Sequence, residues 1–329
     1  MPSHRPWRRL GAIAAFLASL AGCAAPEPAP APNLQDATAC ATGIGTGIPI
    51  TLIAGVPTVA VQINGQPAQL ALASNADDTA LSTAARDRLA LPPVTSQRIR
   101  RLSGNGASGR GREADALVET MTFGTFRVSH ASVPVLRQPL AEGMDGIIGT
   151  DILSQFDTLL DLPHSRVVLF PPRPCPTPPE AITATTLPRV PPARRPSPVA
   201  FLVTLDGAEL RAVIDTAARQ SFVTRFAAKR AGADETSLAG ERVPLEPLFP
   251  ALDTGDLVSA HRFRQVVVGS ENLSAPLLQV GDLPQITMNP AVQVDLLLGG
   301  DYLAGHTVWV SHAGGSVHVV TSLAPAAQP

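Results

Sequence analysis

The sequence predicts a mostly β protein, because its composition favours short strands and tight turns over long helices. The 329 residues include 33 prolines and 26 glycines, but only 13 aromatic residues (10 Phe, 2 Trp and 1 Tyr). Proline and glycine both interrupt helices, and here they bound several short apolar runs of strand length. With 45% hydrophobic residues the chain can build a sizeable core, which excludes disorder throughout.

The charge of the chain argues against a nucleic-acid partner. The formal net charge is −2 at pH 7, whereas nucleic-acid-binding domains usually carry a strongly basic surface. We therefore expect no nucleic-acid partner.

The N-terminus is typical of a bacterial lipoprotein signal peptide. Arg5, Arg8 and Arg9 form a basic start, Leu10–Ala21 is an apolar run too short to span a bilayer, and Cys23 follows small residues. We expect cleavage before Cys23 and a lipid on its sulfur, which would hold the protein on a membrane of the cell envelope, facing the periplasm. An ordinary secretory leader with an incidental cysteine is the alternative.

Two other cysteines remain once the lipidated one is set aside. Residues 1–22 are then the signal peptide, and residues 23–44 carry the lipidated cysteine and an extended Ala/Pro tether. Cys40 and Cys175 are expected to form a disulfide in an oxidising compartment. Two unrelated thiols are the alternative, and neither cysteine has a nearby histidine that would suggest a metal site.

A proline-rich segment divides the chain into two halves. Residues 171–198 contain 11 prolines, a composition that predicts a linker outside any sheet. The sequence thus predicts a first lobe at residues 45–170, a second lobe at residues 199–321 and a tail at residues 322–329.

The two halves repeat one hairpin pattern at an offset of 142 residues. Two apolar strands flank a tight turn in each half, and these strands are Val59–Ile63 with Gln69–Ala73 and Phe201–Leu205 with Glu209–Asp215. The turns, Asn64-Gly65 and Asp206-Gly207, are favoured hairpin connections. Ser82 and Thr224 then stand at the N-cap positions of short alanine-rich helices.

Both halves also close in the same way. Asp145–Leu153 reads Asp-Gly-Ile-Ile-Gly-Thr-Asp-Ile-Leu, and Asp295–Leu303 reads Asp-Leu-Leu-Leu-Gly-Gly-Asp-Tyr-Leu. An apolar strand follows each segment, at Thr158–Leu162 and at Thr307–Val310. Two tandem copies of one β lobe explain this pattern, and the absence of a 20–50-residue period excludes a solenoid.

This order of elements resembles the retropepsin- and pepsin-like aspartic proteases. Val213–Ala218 stands where the family has its Asp-Thr-Gly-Ala signature, and Leu297–Gly299 stands where it has an apolar pair and a glycine. The resemblance covers nearly all of residues 45–321. It implies two tandem aspartic-protease-like β-barrel lobes with short helices, and a peptide-hydrolysing site that uses neither a cofactor nor a metal.

The resemblance assigns the catalytic role to Asp215, with Thr216 bracing its loop through hydrogen bonds. In the family each lobe supplies one aspartate, and the two carboxyls share a proton because neighbouring like charges cannot both ionise. One carboxylate acts as base on a water molecule while the other carboxyl donates a proton to the scissile carbonyl oxygen.

The first half departs from this pattern. Ala73 stands at the aspartate position, Ser74 at the threonine and Asn75 at the glycine. A methyl group neither accepts nor donates a proton, so Asp215 lacks its partner within one chain. The usual cost of losing one member of a catalytic unit is several orders of magnitude in rate.

Three other carboxylates of the chain are alternatives for the second catalytic group. Asp77 and Asp78 follow Ala73 closely, but they match an arginine and a glutamine of the second half. Asp253 begins the only literal Asp-Thr-Gly, at the expected position of the second flap, where a turn is the preferred interpretation. A homodimer that pairs two copies of Asp215 is a further source, although the lobes of one chain would have to part.

Two further motifs suggest other functions only superficially. Gly104 and Gly106 belong to a run that spells the dinucleotide fingerprint, but no βαβ unit surrounds it, so we expect the tip of the family's flap. His306, His312 and His318 recur every six residues, but the glycine pair between the last two predicts a turn, so no metal site is predicted.

Two functions therefore remain open. Peptide-bond hydrolysis is favoured by the retained Asp215-Thr216 pair, and a catalytically inactive pseudoprotease that binds extended peptides in the cleft is favoured by Ala73. The expected partners are a peptide or protein ligand, the membrane through the lipid anchor only, and a second copy of the chain if it dimerises.

Overall fold

The computed structural model describes residues 45–94, 100–101, 115–136, 140–171, 178, 182–190, 198–239, 242–244, 257–281 and 294–323. The predicted lipidation site, disulfide, first flap and one alternative carboxylate lie outside these ranges, and they are Cys23, Cys40, Cys175, Gly104, Gly106 and Asp253. The signal peptide, the tether and most of the proline-rich segment lie outside them as well, so these remain predictions.

Strands dominate the described residues, which confirms the predicted fold class. In chain order the strands are β1 (Thr46–Pro49), β2 (Thr51–Ile53), β3 (Val56–Ile63), β4 (Gln66–Leu72), β5 (Ala80–Ser82), β6 (Arg100–Arg101), β7 (Ala116–Phe123), β8 (Phe126–Val133), β9 (Val135–Leu136), β10 (Gly146–Ile148), β11 (Asp157–Asp161), β12 (Arg166–Phe170), β13 (Ile182–Thr186), β14 (Arg189–Val190), β15 (Ala200–Leu205), β16 (Ala208–Ile214), β17 (Phe222–Thr224), β18 (Arg242–Pro244), β19 (Leu257–Arg262), β20 (Gln265–Val268), β21 (Glu271–Ser274), β22 (Leu277–Gly281), β23 (Leu296–Leu298), β24 (Thr307–Ser311) and β25 (Ser316–Leu323).

The helices are short. They are α1 (Thr83–Arg88), α2 (Thr150–Leu153), α3 (Arg225–Arg230), α4 (Glu235–Leu238) and α5 (Gly300–Leu303), with a 3₁₀ turn at Leu162–His164. The predicted caps are present, because Ser82 Oγ accepts a hydrogen bond from Ala85 N–H at the start of α1, and Thr224 Oγ1 accepts one from Ala227 N–H at the start of α3. No helix among the described residues is long and apolar enough to cross a membrane.

Each lobe is built on a sheet with the same internal order. In the first lobe β10 lies between β4 and β5, and in the second lobe β23 lies between β16 and β17. The hairpin register is also the same, since Val59 lies opposite Leu70 in β3–β4 and Phe201 lies opposite Ala212 in β15–β16. The parallel partner is matched too, with Ile147 of β10 beside β4 in the position that Leu297 of β23 takes beside β16.

A third sheet joins the two lobes. Its order is β1-β12-β11-β24-β25-β13, so three strands of the first half are followed by two strands of the second half and by β13. The junction is the antiparallel pair β11–β24, in which Asp157–Asp161 lies opposite Thr307–Ser311. One hydrophobic cluster also runs through both lobes, and its fully buried members include Phe123 and Phe201.

The expectation that residues 171–198 take no part in a sheet is wrong for their central part. Ile182–Thr186 forms β13 on β25, and Arg189–Val190 forms β14 on β15. Residues 180–187 contain no proline and are rich in threonine, and β-branched residues favour strands. The high average proline content of the segment conceals this stretch.

Gly149 precedes α2 and packs against the backbone of the β4–β5 connection, which leaves no room for a side chain. A Cβ atom at this position would lie 2.5 Å from the carbonyl carbon of Asp78 and 2.9 Å from the carbonyl oxygen of Ala76. Since backbone atoms cannot rotate away, the β4–β5 connection would have to shift.

Gly149→Ala is therefore expected to lower the free energy of unfolding by about 2–3 kcal/mol, as overpacking typically does. Gly47→Ala is the matched control, because a Cβ atom at residue 47 meets nothing within 4 Å, and alanine in a strand is favoured over glycine by about 0.5 kcal/mol. Urea denaturation of both variants measures the difference. Equal effects of the two substitutions would contradict the packing described here.

Candidate functional site

The loops after β4 and β16 are joined across the lobe interface by exchanged hydrogen bonds. The Ser74 N–H donates to Thr216 Oγ1 over 3.1 Å, and the Thr216 N–H donates to Ser74 Oγ over 3.1 Å. Each hydroxyl donates in turn to a backbone carbonyl of the opposite lobe, Ser74 Oγ to Ile214 O at 2.8 Å and Thr216 Oγ1 to Leu72 O at 2.6 Å. We call this arrangement the Ser74–Thr216 exchange. The Thr216 hydroxyl thus braces the loop of the first lobe, and the Ser74 hydroxyl braces the loop that carries Thr216.

A second pair of equivalent contacts supports the loops from behind. Asp151 Oδ1 accepts hydrogen bonds from the N–H and the hydroxyl of Thr79 at 2.9 and 2.7 Å. Asp301 Oδ1 accepts the same two bonds from Ser221 at 2.8 and 2.6 Å. Burial raises the pKa of Asp151 to about 6, against the lowering effect of the Thr79 hydrogen bonds. Both lobes thus retain the same framework.

Asp215 lies at the lobe interface with only 9% of its surface exposed. Its Oδ1 accepts hydrogen bonds from the backbone N–H groups of Ala217 at 3.0 Å and Ala218 at 3.3 Å. Burial raises the pKa of this carboxyl above its ordinary value, and the three hydrogen bonds that it accepts partly offset that rise.

The third of these hydrogen bonds comes from the opposite lobe and was missed by the sequence reasoning. Asn75 Nδ2 donates to Asp215 Oδ2 over 3.2 Å. The sequence places Asn75 only at the family's glycine position. The signal that could have revealed its role is the presence there of a polar side chain, where the family has none, in the loop that faces Asp215.

Ala73 leaves an apolar surface where the family has its other carboxyl. Its side chain is 1% exposed and belongs to a cluster with Ala71, Met144 and Ile147. Among the described residues, no carboxylate other than Asp215 itself takes part in the hydrogen bonds of Asp215.

Asp77 and Asp78 belong to the framework behind the first loop. The Asp77 carbonyl accepts a hydrogen bond from Asp151 N–H over 3.2 Å. Asp78 is 5% exposed, and its charge contributes to the raised pKa of Asp151. Neither donates to or accepts from the Asp215 carboxylate.

A cavity of about 20 Å³ lies directly behind the Ser74–Thr216 exchange, with room for about one water molecule. Both hydroxyl-bearing residues of the exchange line it, together with His312 and apolar side chains of both lobes. His312 is the only titratable residue among those that line it. Burial lowers the pKa of His312 to about 4.

The other two histidines of the six-residue series lie apart from this cavity. His306 Nε2 lies 2.9 Å from Glu271 Oε1, and His318 Nδ1 lies 3.0 Å from Thr186 Oγ1. Among the described residues, no three His, Cys, Asp or Glu side chains form a group suited to a metal ion.

Comparisons with known proteins agree with this geometry. A family model described as "gag-polyprotein putative aspartyl protease" matches residues 59–155. The aspartic proteinase from Irpex lacteus is similar in structure, with a TM-score of 0.53 at 12% identity over 85% of this chain and 98% of that one. Residues 59–155 thus resemble the retropepsin-like aspartic proteases in sequence, and the chain has the aspartic protease fold.

Two further comparisons complete this result. Basic 7S globulin from soybean has a TM-score of 0.48 at 12% identity, over 85% of this chain and 96% of that one. No curated protein matches the chain by sequence. At 12% identity the structural likeness shows the aspartic protease fold alone.

The match to the aspartic protease family model falls on the first lobe. Residues 59–155 include Ala73 and Asn75 but end before Asp215.

Thr216→Val is expected to lower the free energy of unfolding by about 1–3 kcal/mol, because it removes the hydroxyl that serves both Ser74 N–H and Leu72 O and leaves buried polar groups unpaired. Thr216→Ser keeps that hydroxyl and should remain close to the unsubstituted protein. Denaturation followed by Trp309 fluorescence measures both variants. Equal losses for valine and serine would rule out the hydroxyl as the source of the stability.

The lowered pKa of His312 leads us to expect that acid destabilises the fold. Since its pKa falls from 6.5 to about 4 on folding, the unfolded chain binds a proton between these values that the folded protein does not. The free energy of unfolding should therefore decrease as pH falls from about 7 to about 4, by at most about 3 kcal/mol from this residue.

The contribution of His312 is isolated by comparison with His312→Gln, because other groups titrate in the same range. The two proteins should be similar at pH 8, and the glutamine variant should become the more stable one near pH 4.5. A difference in unfolding free energy that does not vary with pH would contradict the lowered pKa of this imidazole.

Proposed function

We propose that this protein binds an extended peptide between its lobes and does not cleave peptide bonds as a single chain. The observation that carries the proposal is the hydrogen bond from Asn75 to Asp215, because the side chain of the first lobe that contacts this carboxylate is a neutral amide and not a second carboxyl. The aspartic protease fold supports a peptide ligand, since a protein of this fold is an aspartic proteinase and an extended peptide can bind by pairing with a strand edge.

The chemistry of an amide explains the expected lack of cleavage. Asn75 cannot release a proton to the scissile carbonyl oxygen or share one with Asp215, because a side-chain amide does not ionise at accessible pH. Asp215 would remain as a base without its acid. Removal of one member of such a catalytic unit typically lowers the rate by about 10⁴-fold or more.

Peptide-bond hydrolysis through Asp215 is the second candidate function. It is favoured by the backbone N–H groups of Ala217 and Ala218, which still position the carboxylate. Hydrolysis would require a second carboxyl from Asp77, Asp78, Asp253 or a partner copy of the chain.

We also propose that the protein is a lipoprotein of the bacterial cell envelope, anchored through Cys23 with its lobes in the periplasm. The basic start, the short apolar run and the cysteine after small residues support this location. Mass spectrometry of the protein from a bacterial host should find a diacylglyceryl-modified Cys23, and an unmodified N-terminus elsewhere would disprove the anchor.

The double substitution Ala73→Asp with Asn75→Gly is expected to create cleavage of a peptide library between pH 3 and 7, because it restores the second carboxyl and removes the amide. Adding Asp215→Asn should abolish that cleavage. The matched control is Ala73→Asn with Asn75→Gly, which has nearly the same shape but no ionisable group, and it should stay inactive.

The unsubstituted protein tests the proposal without any change to its fold. It should bind extended peptides at several protein concentrations without cleaving them. Cleavage that disappears in Asp215→Asn would overturn the proposal in favour of the second candidate. Specific activity that rises with protein concentration would then indicate paired chains, and constant specific activity would indicate a carboxylate of the same chain.

A further inference from the structure

The hydrogen-bonding groups of Asn75 and Asp215 are only partly used within the described residues. The Asn75 amide has two N–H donors, and one of them is donated to Asp215 Oδ2. An ionised carboxylate offers about four acceptor positions, and Asp215 uses three of them, two for Ala217 and Ala218 and one for Asn75. On the two atoms that form this contact, Asn75 Nδ2 and Asp215 Oδ2, which lie 3.2 Å apart, one donor and one acceptor therefore remain.

We propose that Asn75 and Asp215 together bind the backbone N–H and C=O of one residue of an extended peptide. Asp215 Oδ2 accepts the N–H, and Asn75 Nδ2 donates to the C=O. This inference rests on the proposed peptide-binding function, and it names the ligand group that the site recognises.

The geometry of an extended strand fits this pair. In an antiparallel sheet, a residue of a hydrogen-bonded pair directs its own N–H and C=O to the same side. The residue opposite it on the neighbouring strand accepts a hydrogen bond from that N–H and donates one to that C=O. The Asn75–Asp215 pair offers the complementary donor and acceptor side by side. It therefore acts on the ligand as a neighbouring strand residue would.

The replacement of the second carboxyl is what makes this recognition possible. Two carboxyls that share one proton present a donor only through that proton, so the donor disappears when the second group ionises. The N–H groups of Asn75 remain donors at every accessible pH. Asp215 therefore has a permanent donor beside it in Asn75, whereas the alanine at residue 73 supplies none.

A scan of ester-for-amide replacements in a bound peptide tests the inference. Each ester removes one backbone N–H, and the peptide itself is first selected for binding to the unsubstituted protein. One ester position should weaken binding about 10-fold or more, because hydrogen bonds to charged groups contribute about 1.5–3 kcal/mol. With Asp215→Asn, the same ester should cost much less than it does with the unsubstituted protein.

Asn75→Ala tests the other half of the pair. It should weaken the binding of the amide peptide about 3- to 10-fold, as expected for the loss of one neutral hydrogen bond. Asn272→Ala is the matched control, because Asn272 is an exposed asparagine of the second lobe whose amide donates to Gln265 and to no other described residue. It should leave affinity unchanged.

The outcomes separate this inference from the proposed function. Peptide binding in which no ester position depends on Asp215 would overturn the inference and leave the peptide-binding function standing. Affinity that requires a lysine or a free N-terminus in the ligand, with no sensitive ester, would also overturn it, since a cation would then occupy Asp215. Failure of the unsubstituted protein to bind any peptide would overturn both.

Discussion

The Ser74–Thr216 exchange is the contact on which the rest of the site depends. Because each loop binds both a hydroxyl and an N–H of the other, the two loops cannot move independently. This coupling brings Asn75 within hydrogen-bond distance of Asp215 and keeps the carboxylate almost fully buried. Serine fulfils the structural role of threonine because the exchange uses only its hydroxyl. The exchange therefore needs no carboxyl in the first lobe.

Much of the fold was predictable because its signals are local. Alternating apolar residues around Asn64-Gly65 and Asp206-Gly207 specify two hairpins, and Ser82 and Thr224 specify the starts of two helices. Local patterns also gave the alignment of the halves, and the structure repeats that alignment residue by residue in the hairpin register.

The parts that escaped prediction depend on residues that are far apart in the chain. Asn75 and Asp215 are separated by 140 positions, and no local pattern states that an amide will face a carboxylate. β13 is a strand only because β25, more than 130 residues later, completes its hydrogen bonds. His312 likewise depends on its surroundings, since its lowered pKa follows from burial and not from its sequence neighbours.

The sheet that contains both β11 and β24 determines whether the two halves of this chain can fold separately. Although the two halves resemble each other, neither ends at its own boundary, because the central ladder of Asp157–Asp161 with Thr307–Ser311 contains one strand from each. A separated half would expose an unpaired hydrophobic strand edge, the usual template for aggregation. The halves are therefore suited to fragment complementation, in which both pieces fold only when they are produced together. The same ladder opposes an exchange of lobes between two molecules.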